Sequence, residues 1–362
     1  MPAGRLCRDA QADTAVRAAV ERAVGFLRDR LGPRLVGLIL TGSFSRGEGT
    51  VIALQDGRRR VLGDVEFLVV LPRGRDYRAL RPAFARWSRE AGPVLGGPDL
   101  DVDLEFGPVE EAYLRAKARP SIFVHDLRAH GRVIAGPRDL LQRIPAFTAA
   151  DIPREDALHL LFNRTIEQLE AWDHAETLEG PALLDAAYQR VKLTLDLAGS
   201  ALAFDGRHVT SYAARPAAFD ALLTREPALA ALLPAGFAEE LARAARLKLA
   251  PDAGELLPPG PPDARRKWVR AEIEAAVPAM AALLRWELSR LLGGDAPLPS
   301  LLARWTHATS WRQRARQWVK LALHPMPAPL PLSAPRAAAL AWRSTPRALV
   351  YTAGALAYLA LA

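Results

Sequence analysis

An apolar run of the chain carries two acids at its start, DVEFLVVL (Asp64–Leu71), and is closed by Pro72. A run of this length and composition predicts a buried strand. Side chains two residues apart on a strand leave the same face, so Asp64 and Glu66 are expected to lie side by side. Such a pair is costly on a central strand unless a cation shares it, whereas on an edge strand both acids would be solvated. The pair therefore predicts either a metal site or a solvated sheet edge.

A polar segment with glycines precedes this strand. The apolar run RLVGLILT predicts an earlier strand that ends near Thr41 and leads directly into Gly42-Ser43. Glycine lets a phosphate approach the backbone, and nearby N–H groups and the Ser43 hydroxyl can donate to its oxygens. Arg46 adds a positive charge close by. The same pattern is also typical of a polar loop between two strands.

A hairpin is predicted between the polar turn and the acid pair. VIAL and RRRVL flank Gln55-Asp56-Gly57, and Asp-Gly is a strong signal for a two-residue hairpin turn, so a hairpin is expected over residues 51–62. The role of this hairpin stays open. Its basic residues Arg58, Arg59 and Arg60 could lie over the mouth of a site, near a triphosphate or an acceptor.

A second acidic strand follows in DLDVDLEF (residues 99–106), where apolar and acidic residues alternate. The alternation predicts a half-exposed strand with Asp101, Asp103 and Glu105 on one face. Mg²⁺ prefers oxygen ligands and accepts substrate phosphates as part of its shell. One acid from this row, added to the first pair, would complete a site for two metal ions. Alternating acids are also ordinary on a strand with one face in water.

These features together resemble the nucleotidyltransferase superfamily that includes DNA polymerase beta and the aminoglycoside nucleotidyltransferases. The resemblance covers roughly residues 34 to 110. The order is similar: helix, strand, Gly-Ser, strand with D-x-E, helix, strand with one acid. Two features depart from the family pattern, because the hairpin separates Gly-Ser from the acid pair and Glu66 stands where Asp is commoner.

The resemblance implies roles for single residues. Gly42 and Ser43 would hold the β- and γ-phosphates of a nucleotide, with Arg46 nearby, and Asp64 and Glu66 would bind metal. The implied cofactors are Mg²⁺, as two ions, and a nucleoside triphosphate, with ATP as the expected donor. This Mg²⁺ site would carry the catalysis.

The third acid is chosen from the second acidic strand. Asp103 is preferred, as a catalytic residue and metal ligand, because an apolar residue flanks it on each side and a helix is expected soon after. Asp101 is the first alternative and Glu105 the second.

Helical periodicity marks several segments. Residues 13–31 predict a helix with Asp13 as its cap, ended by Gly32-Pro33. After about residue 150 the pattern is helical throughout, including one helix near residues 264–292. Three polar sets in this half could reach a cleft, although intrahelical pairs or capping contacts are the preferred interpretation. They are Lys192 with Asp196, Asn163 with Arg164, and Tyr212 with Arg215. The seven histidines show no ligand spacing.

The C-terminal segment combines tryptophans, basic residues and an apolar end. ARWTHATSWRQRARQWVKLALHP is followed by the proline-rich PMPAPLPLSAP and then by RALVYTAGALAYLALA. The final apolar run is too short to span a bilayer comfortably. It could dock on the helical domain as a terminal helix, or the whole segment could lie on an anionic membrane surface.

The sequence thus predicts an α+β protein. A small mixed β-sheet nucleotidyltransferase domain with flanking helices is expected over residues 1–147, and an all-α domain over 148–298. A basic, tryptophan-bearing segment with an apolar tail follows over 299–362. Cys7 is the only cysteine, and the N-terminus lacks an apolar signal segment, so a cytoplasmic protein is expected.

The expected activity is metal-dependent transfer of a nucleoside monophosphate, AMP in the first instance, to the hydroxyl of a small molecule or glycoconjugate. The formal charge of +8 suits a phosphate-bearing substrate as well as nucleic acid, and a nucleic-acid partner is not expected. Expected partners are the nucleoside triphosphate and an unknown acceptor, with peripheral membrane contact through the tail. The alternatives are a catalytically silent nucleotide sensor or scaffold, and a transferase that modifies a protein or nucleic-acid end.

Overall fold

The computed structural model describes residues 4–54, 56–323 and 342–362. Gln55 in the hairpin and the proline-rich stretch at 325–335 lie outside the described residues. The strands are β1 (Gly37–Leu40), β2 (Val51–Ala53), β3 (Arg59–Leu71), β4 (Leu100–Glu110) and β5 (Arg132–Ala135).

The helices alternate with these strands in the front half and then follow one another. In the front half they are α1 (Ala10–Leu31), α2 (Gly42–Ser45), α3 (Gly74–Leu95) and α4 (Ile122–His130). The rear half contains α5 (Arg154–His174), α6 (Gly180–Phe204), α7 (Arg215–Arg225), α8 (Pro227–Leu232), α9 (Phe237–Leu249), α10 (Ala253–Leu256), α11 (Pro262–Ala275), α12 (Val277–Leu292), α13 (Leu298–His307), α14 (Trp311–Leu323) and α15 (Pro346–Leu359).

Strand β3 is the centre of a five-stranded sheet. It pairs antiparallel with β1 and β2 and parallel with β4, while β5 pairs antiparallel with β1. The mixed sheet and the α+β class predicted from the sequence are therefore confirmed, as is the hairpin between β2 and β3.

The two faces of β3 have different environments. Val65, Phe67 and Val69 join the core under α1 and α3. On the opposite face, Leu68 and Val70 pack in a smaller core under α4. Asp64 and Glu66 share that second face because side chains alternate along a strand. The acids therefore lie just beyond the part of the face that α4 covers.

Helix α1 begins earlier than the sequence predicts. Its cap is Asp9, whose side chain accepts a hydrogen bond from the Ala12 backbone N–H. Asp13, the predicted cap, is instead nearly buried, accepts from the backbone of Leu6 and pairs with Arg17. The prediction of Asp13 as the cap was wrong because two acids four residues apart compete for the same helix start.

The rear half forms a second core around α5 and α6. The single helix expected near residues 264–292 is two helices that meet at Ala276, with Pro278 in the first turn of α12. Proline suits that position because its missing N–H is not needed there. Ile52 and Leu62 from the hairpin also join the rear core, so the hairpin connects the two halves of the molecule.

Helix α15 packs against α5. Its Tyr351 ring stacks on Phe162 with 5.2 Å between ring centroids, and the Tyr351 hydroxyl donates to Asn163 Oδ1 at 2.6 Å. The Tyr358 hydroxyl donates to the Ile273 carbonyl oxygen at 3.0 Å. The rear core thus continues into the described part of the C-terminal segment. Within the described ranges, no helix has both the length and the apolar character needed to cross a membrane.

The buried acid Glu287 on α12 makes the stability of this core depend on pH. Burial raises the pKa of Glu287 to about 8, and its Oε1 lies 2.7 Å from the Ser200 hydroxyl. The folded protein keeps a proton that the unfolded chain loses above its ordinary pKa of 4.5. The stability contribution is therefore fully present below pH 4.5 and is lost as the pH rises through about 8.

We expect the Glu287→Gln variant to lose this pH dependence. Between pH ~5 and ~8, the free energy of unfolding of the wild type should fall by about 3 kcal/mol relative to the variant. Urea unfolding at both pH values measures the difference. The exposed Glu239 on α9 provides a matched control, since Glu239→Gln should keep the wild-type slope. Identical slopes for the wild type and Glu287→Gln would contradict the assignment.

Candidate functional site

A cleft of about 350 Å³ lies between the acid-bearing face of the sheet and the helices of the rear half. Its front wall holds the turn after β1, the acid pair of β3 and the start of α4. The residues that line it include Gly42, Ser43, Arg46, Asp64, Glu66, Phe123, Asp126, Leu160, Arg164, Tyr188, Lys192, Asp196, His208, Tyr212, Arg215 and Lys248. All of the predicted phosphate-binding residues and both acids of the pair thus face one cleft.

Three carboxylates meet on the cleft side of the sheet. The parallel register pairs Glu66 with Glu105, and one oxygen from each of Asp64, Glu66 and Glu105 lies within 4.8 Å of the others. Burial and the charges of Asp64 and Glu105 raise the pKa of Glu66 to about 7. Partial burial and the contact with Asp64 raise the pKa of Glu105 to about 7 as well.

This group fits a hard divalent cation. Its donors are all carboxylate oxygens, which are the ligands that Mg²⁺ prefers, and their mutual repulsion is the energetic cost that a bound cation removes. Asp64, Glu66 and Glu105 are the residues that would hold it.

Asp103, the preferred third acid of the sequence analysis, is not part of this group. Asp103 is exposed; its backbone lies opposite Asp64 in the register, and its charge acts on Asp185 on α6. Asp101, the first alternative, pairs with Arg60. The third carboxylate of the group is that of Glu105, so the choice of Asp103 for this position was wrong. Apolar neighbours could not decide between them, because Glu105 is also flanked by apolar residues. The register pairs Asp103 with Asp64 and Glu105 with Glu66, so only the placement of the side chains distinguishes the two.

The Gly42-Ser43 turn lies directly against the acid pair. The Thr41 backbone N–H donates to the Glu66 carbonyl oxygen at 2.9 Å, which ties the end of β1 to β3. Gly42 has a φ of 68°, and a Cβ added there would overlap the Glu66 carboxylate. Glycine is therefore required twice, for its backbone conformation and for the approach of Glu66.

Arg46 faces the cleft but is already engaged. It lies 3.2 Å from Asp126 and 3.5 Å from Glu48. Glu48 in turn accepts from the Ser211 hydroxyl at 2.7 Å and from the Tyr212 backbone N–H at 3.0 Å. This set of contacts joins the front turn to the loop that follows α6.

The rear helices bring several cations to the cleft, and most of them have partners. Arg164 donates to Asp196 at 2.7 Å, and Arg215 donates to the other oxygen of Asp196 at 3.2 Å. Gly199 on α6 leaves the space in which the Arg215 guanidinium lies. The polar residues of the rear half were predicted to form intrahelical or capping contacts, but they line the cleft. Asp196 pairs with arginines of two other helices rather than with Lys192 on its own helix.

Lys192 differs from these cations. Among the described residues it has no hydrogen bond and no ion pair, and it is half-buried on α6. Its charge acts on both Glu66 and Glu105. Lys192 is therefore available for an anionic ligand beside the acid group.

Two further features of the cleft were not predicted from the sequence. Lys248 on α9 is buried and donates to the Tyr188 hydroxyl at 2.8 Å; burial and the charges of Lys192 and Arg46 lower the pKa of Lys248 to about 7. It ends an amphipathic helix whose pattern alone looks like ordinary packing, so no local signal singles it out.

The second unpredicted feature is the group His125, Asp126 and His208. His208 Nε2 lies 2.8 Å from Asp126 Oδ1, and His125 Nδ1 lies 3.5 Å from the same oxygen. Burial disfavours the charged form of Asp126, but the contacts with both histidines and with Arg46 outweigh it and lower the pKa of Asp126. His208 is 82 residues from Asp126, so spacing gave no signal.

The basic residues of the hairpin lie away from the cleft. Arg58 pairs with Asp56, Arg59 donates to Gln11, and Arg60 pairs with Asp101 and Asp185. None of these three arginines lines the cleft. Arg60 instead joins the sheet to α6.

No protein-family model, curated protein or solved structure matches this chain.

The identity of the third acid can be tested by metal binding. We expect Glu105→Gln to weaken Mn²⁺ binding by at least about 10-fold, because it removes one of the three converging carboxylates. Asp103→Asn, a matched change on the same strand face, should alter it by less than about 3-fold, since Asp103 lies outside the group of three converging carboxylates. Titration with detection of free Mn²⁺ by electron paramagnetic resonance gives both affinities. A larger loss for Asp103→Asn would contradict the placement of Glu105.

The Gly42→Ala substitution tests the contact between the turn and the acid pair. We expect it to lower the free energy of unfolding by about 2 kcal/mol or more and to weaken Mn²⁺ binding, because the added methyl group displaces Glu66. Gly57 also has a positive φ, of 84°, but a Cβ there meets nothing within 4 Å. Gly57→Ala should therefore lose stability while keeping Mn²⁺ affinity. Unchanged Mn²⁺ binding in Gly42→Ala would contradict the contact.

Proposed function

We propose that this protein is a metal-dependent nucleotidyltransferase that moves a nucleoside monophosphate from a nucleoside triphosphate to an acceptor hydroxyl. One observation carries the proposal. The carboxylates of Asp64, Glu66 and Glu105 converge beside the Gly42-Ser43 turn, and Lys192 faces them from α6 without a partner among the described residues. Carboxylates suited to a cation and a turn suited to a phosphate thus lie side by side, which is what a metal–triphosphate complex needs.

The reaction forms one bond to phosphorus and breaks another. The acceptor oxygen attacks the α-phosphorus, the bond from that phosphorus to the bridging oxygen breaks, and pyrophosphate leaves. Bound Mg²⁺ would stabilise the charge that develops on the attacking and leaving oxygens. The proton of the acceptor hydroxyl passes to Glu105, the most exposed of the three acids.

The chain's own residues position the phosphates. Gly42 leaves no side chain between the backbone and a phosphate oxygen, and the Ser43 hydroxyl lies in the same wall of the cleft. Lys192 supplies a charge for the leaving pyrophosphate. Because Arg46, Arg164 and Arg215 are held by carboxylates, they shape the positive potential of the cleft rather than bind the phosphates one by one.

An apolar edge of the cleft suits the nucleoside. Phe123 lines it with 44% of its surface exposed, and Leu160 lies in the same lining. An exposed aromatic ring in a polar cleft offers a stacking surface for a base. ATP remains the expected donor, and the acceptor is expected to be a small molecule or glycoconjugate.

Pyrophosphate release tests the activity. The wild type would be incubated with Mg²⁺, each labelled triphosphate, and small-molecule, protein and nucleic-acid fractions as separate acceptor pools. We expect release with the small-molecule pool and its loss in Asp64→Asn. Lys192→Met should lower kcat/KM by about 10- to 100-fold, because charge stabilisation of the leaving group is removed.

A matched control uses Lys267, an exposed lysine on α11, since Lys267→Met should leave the rate unchanged. Triphosphate binding without pyrophosphate release in any pool would instead favour a catalytically silent sensor. Release that depends on the protein or nucleic-acid pool would favour a transferase acting on macromolecular ends. Release that persists in Asp64→Asn would contradict the proposal.

A further inference from the structure

The positive charge of the protein is concentrated at its C-terminal end. Residues 296–362 contain eight of the 48 basic residues and none of the 40 acids. The other 295 residues therefore have no net formal charge, with 40 basic and 40 acidic side chains. The whole formal excess of +8 lies in this last part of the chain, which is a local feature rather than a general property of the surface.

Helix α14 presents an amphipathic face to solvent. Trp311, Val319 and Leu323 are 67%, 58% and 70% exposed. At 100° per residue these three lie within one third of the helix circumference, and the exposed basic residues Arg316 and Lys320 lie directly beside them. Large apolar side chains bordered by cations are the pattern of a helix that lies in a membrane interface.

A neighbouring face of α14, which begins next to Trp311 on the helix circumference, is attached to the protein. The indole N–H of Trp318 donates to the Ser344 carbonyl oxygen at 2.9 Å, and the half-buried Leu321 lies on the same side of the helix. The helix is therefore held in place by one face, and its apolar and basic face is the one directed outward.

A basic pocket of about 710 Å³ adjoins this face. It lies between α3, α14 and α15 and contains Arg81, Arg316, Lys320 and Arg347. No acid belongs to its lining. Within the described ranges, none of the four cations has an ion pair or a hydrogen bond. Four like charges without counter-charges in one pocket are suited to a multiply anionic surface.

We propose that α14 and the adjoining basic pocket dock this protein on an anionic membrane surface. Lipid phosphates would occupy the pocket of Arg81, Arg316, Lys320 and Arg347, while Trp311, Val319 and Leu323 enter the boundary between headgroups and acyl chains. The apolar part of the face favours lipid over nucleic acid, because phosphate-backbone binding needs cations but gives no reason to expose valine and leucine. This inference does not depend on the activity of the cleft.

Vesicle co-sedimentation of the full-length protein tests the proposal. The wild type should bind vesicles of phosphatidylcholine with phosphatidylglycerol and bind pure phosphatidylcholine vesicles far more weakly. The variant Arg316→Gln/Lys320→Gln/Arg347→Gln should lose anionic binding by on the order of 100-fold. The variant Trp311→Ser/Val319→Ser/Leu323→Ser keeps every charge and should lose about 10-fold or more.

A control variant removes the same charge elsewhere. Arg8→Gln/Arg28→Gln/Lys267→Gln changes three exposed basic residues outside α14 and should bind as the wild type does. Circular dichroism melting of each variant checks that it folds. Equal partitioning on neutral and anionic vesicles, or an equal loss in the control variant, would overturn the proposal. Tighter binding to nucleic acid than to vesicles at the same salt, or a dimer that the Trp311 variant dissociates, would assign the face to another occupant and overturn it too.

Discussion

Repulsion among three carboxylates is the constraint on which the site depends. The parallel pairing of β3 with β4 places Glu105 beside Glu66, and Asp64 completes the group. Burial and this crowding raise the pKa of both Glu66 and Glu105. A fold gains nothing from such a group in isolation, because each ionised carboxylate there disfavours the next. The arrangement becomes favourable when a cation shares the three acids.

The residues around the three acids leave room for the carboxylates and pair most of the nearby cations with other acids. At position 42, glycine is the only residue type that lets the turn after β1 approach the Glu66 carboxylate so closely. Arg46 is held by Asp126 and Glu48, and Asp196 holds two arginines of the rear helices. Most of the positive charge in the cleft is thus already paired with acids, which leaves Lys192 facing the acid group. Three crowded acids and a cation without a partner among the described residues thus lie side by side in the cleft region.

Much of the front half could be predicted from the sequence because its signals are local. Alternation located β4, the apolar run located β3, and Asp-Gly located the hairpin. The choice between Asp103 and Glu105 could not be made in this way, since a period of two describes both and each lies opposite an acid of β3. Only the placement of their side chains separates them. The boundary at Ala276 was missed because proline is tolerated in a first helical turn, so the apolar pattern runs through it.

The residues that the rear half contributes to the cleft could not be predicted from local sequence patterns, for a different reason. Lys248 and His208 reach the cleft through contacts with residues 60 and 82 positions away in the chain. A helical pattern shows which face of a helix is buried but not which residue of another element it meets. For the same reason Lys192, expected to pair with Asp196 along α6, faces the acids of the sheet instead.

Anomalous diffraction from crystals grown with Mn²⁺ and a non-hydrolysable ATP analogue locates both the metal and the phosphates. We expect a manganese peak at about 2.2 Å from carboxylate oxygens of Asp64, Glu66 and Glu105. We also expect the phosphates of the analogue between the Gly42-Ser43 turn and Lys192. A manganese peak at His125, Asp126 and His208 alone, or an analogue bound outside the cleft, would contradict this placement.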